Sequence, residues 1–247
     1  YSDDHKMAIA IKEKYNIKEV HVVPGDSDEK QTVKREMGRQ AGQLLESILY
    51  EDAIVSVTGG STMAYVSESI HLLPFNVFFV PARGGLGENM VYQANTIASS
   101  MAQQAGGYYT TLYVPDNVSE STYNTLMLEP SVSHTLDKIK QANVTIHGIG
   151  DALKMAYRRQ SHTDVIEKLQ HHHAVGEAFG YYFDAQGNVV HKVKTIGLQL
   201  EDLESKDFIF AVAGGQSKGE AIKAYLSIAP ENTVLITDEA AAKVILN

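Results

Sequence analysis

The chain of 247 residues has no cysteine, which excludes a disulfide framework and any thiolate metal site. No secretory leader is visible at its start, and no apolar run approaches the roughly eighteen residues a membrane-spanning helix needs. We therefore expect a soluble, cytoplasmic protein with no membrane partner. Positive charge is also short, with 21 Lys and Arg against 30 Asp and Glu and a formal net charge of −9. That balance argues against nucleic-acid binding through a broad basic face. Any anion site must be local, made by a few cations and oriented N–H groups. The length suffices for a full core, as one large domain or two lobes. An initiator Met is missing too: Tyr1-Ser2-Asp3-Asp4 passes directly into a helical pattern at Met7, Ile9, Ala10 and Ile11, as a piece of a longer chain would.

What the chain does have is two glycine pairs, Thr58-Gly59-Gly60-Ser61-Thr62 and Ala213-Gly214-Gly215-Gln216-Ser217-Lys218. Each follows a short apolar run and opens a helical pattern, so each presents backbone N–H groups to an anion. Two such loops point to a ligand phosphorylated at more than one position. A tight strand-to-helix turn would account for either pair alone. Arg83 and Lys218 lie in glycine loops at expected strand ends, where a cation reinforces an N–H cradle. Arg158 and Arg159 are adjacent on an expected helix, a place where arginines commonly face solvent.

Strand-like and helical runs alternate. Strands are expected over 20–23, 53–57, 77–80, 108–114, 144–150, 208–212 and 233–236. Helices are expected over 34–49, 63–70, 91–104, 132–142 with Ser131 or Ser133 as N-cap, from about Asp151, over 221–226, and after Thr237-Asp238. The pattern is that of an α/β fold with a mostly parallel sheet covered by helices on both faces. Ligands of such sheets bind beyond the carboxyl ends of the strands. One segment departs from it: 178–183, the turn 184–188 and 189–193 read as a small β-hairpin insertion.

Other motifs are weaker. No G-x-x-x-x-G-K-[ST] occurs, and Gly148-x-Gly150 has Leu153 where a dinucleotide fingerprint needs Gly or Ala. His171, His172 and His173 cannot all face one ion and read as a polar loop, so no metal is expected. His147 reads as a buried histidine, and Glu177 as either a surface carboxylate or an acceptor for sugar hydroxyls.

Several strings in order then carry a resemblance: Val57-Thr58-Gly59-Gly60-Ser61-Thr62-Met63, Val80-Pro81-Ala82-Arg83-Gly84-Gly85-Leu86-Gly87, Gln93-Ala94-Asn95-Thr96, and Ala211-Val212-Ala213-Gly214-Gly215 with Ser217-Lys218. With His147-Gly148-Ile149-Gly150, Glu177 to Phe183 and Thr237 to Ala241, the chain resembles the sugar-binding domain of SorC-type bacterial transcription regulators from about Lys12 onward. The resemblance is nearest to the branch that represses glycolytic genes.

It implies a fold like that of glucosamine-6-phosphate deaminase and ribose-5-phosphate isomerase. It also implies an effector-binding domain over 1–247 without its N-terminal helix-turn-helix module, through which operator DNA would be bound. The implied effector is fructose-1,6-bisphosphate or a related phosphosugar, with no cofactor and a homo-oligomeric state, dimer or tetramer. The family pattern puts the effector contacts on Gly59, Gly60, Ser61, Thr62, Met63, Arg83, Gly84, Gly85, Gln93, Arg158, Glu177, Gly214, Gly215, Gln216, Ser217 and Lys218. Ser61 replaces an expected Thr and keeps the hydroxyl. The rival is an active phosphosugar isomerase or deaminase, for which Gly215 to Ile222 also resembles a phosphate-binding lysine turn. Such chemistry needs a positioned acid/base pair. Gly148-Ile149-Gly150-Asp151 continues as Ala152-Leu153-Lys154-Met155-Ala156, without the His and Glu of the deaminase, so no catalytic residue is assigned and a binding domain is expected.

Overall fold

Residues 2–85, 93–115 and 118–247 are described in a computed structural model of the chain. Helix α1 (Asp3–Tyr15) starts where the Ser2 hydroxyl accepts the His5 amide at 3.2 Å and where Asp3 and Asp4 meet the positive end of the helix dipole. It stops at Asn16, which takes the left-handed conformation. Strand β1 (Glu19–Val23) follows, then α2 (Gln31–Ile48), whose Met37, Ala41 and Leu45 are wholly buried at a spacing of four. Next come β2 (Ala53–Val57), α3 (Ser61–Glu68), β3 (Val77–Pro81), α4 (Ala94–Ala105) and β4 (Tyr108–Tyr109). Helices α5 (Glu120–Leu126) and α6 (Pro130–Gln141) lead to β5 (Val144–His147). The rest of the chain runs β6 (Gly150–Asp151), α7 (Ala152–Arg158), α8 (Thr163–His171), β7 (Gly176–Ala178), β8 (Tyr181–Phe183), β9 (Val189–Lys192), β10 (Phe208–Val212), α9 (Gly219–Leu226), β11 (Thr233–Asp238) and α10 (Glu239–Leu246).

The main sheet has seven strands in the order β1-β11-β10-β5-β2-β3-β4. The pairs β1–β11, β2–β3, β2–β5 and β3–β4 are parallel. Every residue of β5 and of β11 is buried, so both faces of the sheet are covered there, as the apolar runs predicted. A second sheet, β6-β7-β8-β9, is antiparallel. Its core joins Tyr182 and Val193 to Ala152, Ala156 and Leu169 of α7 and α8.

By its contacts the chain forms two compact units. The first comprises Tyr1–Met37, Gly148–Val193 and Ala211–Asn247, and the second Gly38–His147 and Lys194–Phe210. Among the described residues no helix is long and apolar enough to cross a membrane.

Three local expectations are corrected. The strand expected over 108–114 is only β4, because the Asn95 side chain takes over the backbone of Leu112, accepting its N–H at 2.7 Å and donating to its carbonyl at 3.1 Å. Helix α6 is capped by neither Ser131 nor Ser133. It begins at Pro130, whose fixed φ and missing N–H suit the first helical position, with Glu129 as N-cap. The hairpin is larger than expected, since Ala178 belongs to β7 and Phe179-Gly180 forms its own turn with φ of 56° and 83°. A phenylalanine in the left-handed region is rare, which hid the turn. Leu86, Gly87 and Glu88 and the start of the helix expected from Val91 lie outside the described residues.

Candidate functional site

In the second unit, β2 and β3 are parallel neighbours with Val57 opposite Pro81. Their carboxyl ends therefore release two loops side by side, and the Ala82 amide donates to the Val57 carbonyl at 2.7 Å. The first loop turns at Gly60, whose φ of 118° and ψ of 163° suit glycine. A Cβ there would meet nothing within 4 Å, so the space outside this turn is open. Gly60 is the N-cap of α3 and has no side chain to cap it. Thr62 is buried and Met63 wholly so, which leaves Met63 its backbone to offer a ligand.

The neighbouring loop carries Arg83, Gly84 and Gly85. Arg83 is half-buried and its backbone is bridged to Gly197, with Gly84 N–H donating to the Ile196 carbonyl at 3.0 Å and Leu198 N–H to the Ala82 carbonyl at 2.7 Å. Gly197 is packed against Ala82 and Arg83 so closely that a Cβ would collide with their backbone. Gln93 is buried at the N-cap of α4. His147 is buried, as read from its strand.

In the first unit, β1 and β11 pair with Val23 opposite Asp238, and the Ala213 amide donates to the Ile236 carbonyl at 3.1 Å. The turns after Val23, after Val212 and after Asp238 are thereby gathered. Gly215 holds φ 103°, a single 3-10 turn spans Gln216–Lys218, and α9 follows. At Gly214 a Cβ would meet the Met37 sulfur and the Asp238 carboxyl. Asp238 is fully buried and does three things: Oδ1 accepts the N–H of Gly215 and of Ala241, each at 3.0 Å, and Oδ2 accepts that of Ser27 at 2.8 Å. The next two amides of the glycine loop go to an acidic turn. Gln216 N–H donates to Asp26 Oδ1 at 3.3 Å and Ser217 N–H to Asp28 Oδ2 at 2.8 Å.

Lys218 is half-buried. Burial pushes its pKa below the ordinary lysine value, and Lys34, Arg158 and Lys154 push the same way against the opposing charge of Asp28. A cationic cluster at the N-terminal end of α9 is a place where an anion relieves mutual repulsion. Arg158 belongs to this cluster and is exposed, its guanidinium 3.6 Å from the Met155 sulfur.

Glu177 is neither a surface carboxylate nor solitary. Its Oε1 accepts Arg159 Nη2 at 2.9 Å, with both side chains almost fully buried, and also the Gly180 amide at 2.9 Å. Arg159 Nη1 donates to the Tyr182 hydroxyl at 2.9 Å. The buried arginine of the pair is thus Arg159 and the exposed one Arg158. Asp151, the one acid at the strand-end turn, is spent as the N-cap of α7, accepting the Lys154 amide at 3.0 Å. Among the described residues no group of His, Asp and Glu could hold a metal ion.

Sequence reasoning passed over Asp26, Asp28, Lys34 and Lys154. The run Pro24-Gly25-Asp26-Ser27-Asp28 carries a turn signature, but nothing local says that its carboxylates reach a loop 189 and 190 residues away. The two lysines had only their charge to show.

Over residues 1–247 the chain matches the family model described as "Putative sugar-binding domain". It is 50% identical to the central glycolytic genes regulator of Priestia megaterium over 94% of this chain and 69% of that protein. The namesake of Bacillus subtilis is 48% identical over 96% of this chain and 70% of that protein. The crystal structure of a SorC family transcriptional regulator from Enterococcus faecalis superposes with a TM-score of 0.92 at 43% identity, covering 98% of this chain and 100% of that one. These relatives are transcriptional regulators and not enzymes. The chain belongs to the sugar-binding, effector-binding domains of SorC-family transcriptional regulators.

Proposed function

We propose that the domain binds a phosphosugar and, within a longer repressor of glycolytic genes, converts that binding into altered operator occupancy. The glycine turn at Gly215 that sets Lys218 at the N-terminal end of α9 is the observation that carries the reading, and Lys34, Lys154 and Arg158 add positive charge there that a neutral sugar would not offset. Fructose-1,6-bisphosphate is the proposed effector. Two glycine-opened helix starts, Gly60 before α3 and Gly215 ahead of α9, match two phosphates, and the two relatives near 50% identity are regulators of central glycolytic genes. Arg83, Gln93, Arg158 and Glu177 are the remaining contacts proposed from the family pattern. No cofactor is needed.

Operator DNA is assigned to a helix-turn-helix module outside this chain, and the repressor is proposed to act as a homo-oligomer. The effector shifts the population between quaternary states only as far as its affinities for them differ. A coupling of about 1–3 kcal/mol changes occupancy several-fold to a hundredfold. The test is thermal or urea unfolding with the bisphosphate. At about a hundred times its dissociation constant it adds roughly 2.7 kcal/mol of stability, while unphosphorylated fructose adds nothing. The absence of any shift at millimolar bisphosphate would falsify the assignment.

A further inference from the structure

Helices α7 and α10 are capped by their own aspartates, Asp151 and Asp238. The turn leading into α9 is different. Its N-cap position is Gly215, which has no side chain, and the acids that hold the next two amides come from Asp26 and Asp28 on another element. Those two acids are not equivalent to Asp238. Asp238 is fully buried and fixed by three amides, so it is part of the frame. Asp26 is half-buried and Asp28 is on the surface side of a short turn between Gly25, with its φ of 94°, and the start of α2. The turn is braced internally, the Asp28 amide donating to Asp26 Oδ1 at 2.9 Å and those of Glu29 and Lys30 to the Asp26 carbonyl, each at 3.1 Å. It is tied to the frame by the Ser27 amide, which donates to Asp238 Oδ2 at 2.8 Å, and by the Gly25 carbonyl, which accepts the Ala240 amide at 3.2 Å. The exposed Asp28 carboxylate can leave the Ser217 amide by side-chain rotation, with these ties, β1 and α2 kept in place.

Asp28 also supplies the opposing charge among the cations around Lys218. It lies so close to Gly215 that a Cβ on that glycine would overlap its carboxyl. Two carboxylates therefore stand on the donors and within the field that a phosphate would use.

We propose that the carboxylates of the Asp26–Asp28 turn are an internal substitute for the effector's phosphate, which hold the glycine loop in the unliganded domain and are displaced from it when a phosphorylated ligand binds. This rests on the reading that the Lys218 loop takes a phosphate. A phosphate concentrates three acceptor oxygens and about −1.5 to −2 charges at one point, where each aspartate offers two oxygens and a single charge, so it displaces them from the loop amides. A neutral sugar cannot. The turn thus sets a charge threshold for the ligand and turns occupancy into a rearrangement of the acidic side chains that precede α2.

The experiment uses titration calorimetry with inorganic phosphate and with fructose-1,6-bisphosphate on wild type, Asp28→Ala, Asp28→Asn and Lys218→Met. Removing the competitor is expected to tighten both ligands about three- to tenfold in the Asp28 variants, the worth of roughly one net hydrogen bond. Asp28→Asn keeps the shape of the turn should Asp28→Ala not fold. A chain without tryptophan allows a second readout, the indole emission of a Glu29→Trp variant, which is expected to change on phosphate binding and to saturate with it. If Lys218→Met binds as well as wild type, the phosphate reading of the loop fails. If Lys218→Met loses binding while the Asp28 variants bind no more tightly than wild type, or the emission of the Glu29→Trp variant stays constant at saturation, the reading stands and the displaceable turn is wrong.

Discussion

Lys206 and Lys218 are both lysines that the fold has drawn away from water, and burial lowers the pKa of both below the ordinary value. Their surroundings differ in kind. Lys206, in the second unit, is 3% exposed, and its ammonium donates to the carbonyls of Ile139 at 2.9 Å and Lys140 at 3.0 Å. These are among the last carbonyls of α6, at the negative end of its dipole, and that of Ile139 also accepts the Ala142 amide at 3.3 Å. Lys218, in the first unit, has three cations acting on it and Asp28 against them. Burial with fixed acceptors marks a lysine that holds structure together. Burial among like charges marks a lysine whose partner is supplied by something else. The pair Arg159–Glu177 is of the first kind, since the carboxylate, the guanidinium and the Tyr182 hydroxyl answer one another.

That contrast predicts an order of damage. The largest loss belongs to Arg159→Met, which leaves Glu177 buried without its countercharge and loosens the Phe179-Gly180 turn that the same carboxylate holds. About 3–5 kcal/mol of stability should be lost in urea unfolding. A loss below about 1 kcal/mol would mean that water reaches Glu177, and that the pair belongs with Lys218. Next comes Lys206→Met, expected to cost about 2–3 kcal/mol, because two carbonyls lose a charged donor in a buried place. An unchanged urea midpoint would remove the distinction drawn between the two lysines.

The fold was legible wherever one signal was local and repeated. Apolar runs gave β2, β5 and β10 their places, and the last helix was found from Thr237-Asp238, where Asp238 does cap it. Tyr108 to Val114 misled because β-branched and aromatic residues describe a strand only if the backbone is left to pair, and Asn95 intercepts it at Leu112. In the site, both glycine turns could be read because positive φ at Gly60 and Gly215 is a local demand. Which of two adjacent arginines is buried could not, since that depends on where α7 ends relative to β7. Nor could the use of Asp238 and Asp28 as acceptors for a distant loop, which is fixed by strand order and not by neighbours in sequence.

Lys218→Met sharpens the comparison from the other side. Removing one of four cations relieves repulsion as well as solvation cost, so the stability of the unliganded domain should stay within about 1 kcal/mol of wild type. A loss as large as that of Lys206→Met would show Lys218 to be a structural lysine after all.

The smallest effect concerns protons. In the unliganded domain the Lys218 pKa is lowered from 10.5, by burial first and then by Lys34, Arg158 and Lys154. A bound phosphate favours the charged ammonium and raises that pKa again. Below the unliganded pKa the lysine is protonated in both states and contributes its full attraction. Between the unliganded and the liganded pKa, binding must take up a proton, and affinity falls as pH rises through that window. Calorimetry over a range of pH, in two buffers of different ionisation enthalpy, should record an uptake of less than one proton within that window, absent in Lys218→Met. Proton release instead would mean that the ligand leaves Lys218 more crowded with positive charge than before, which a phosphate held by that lysine cannot do.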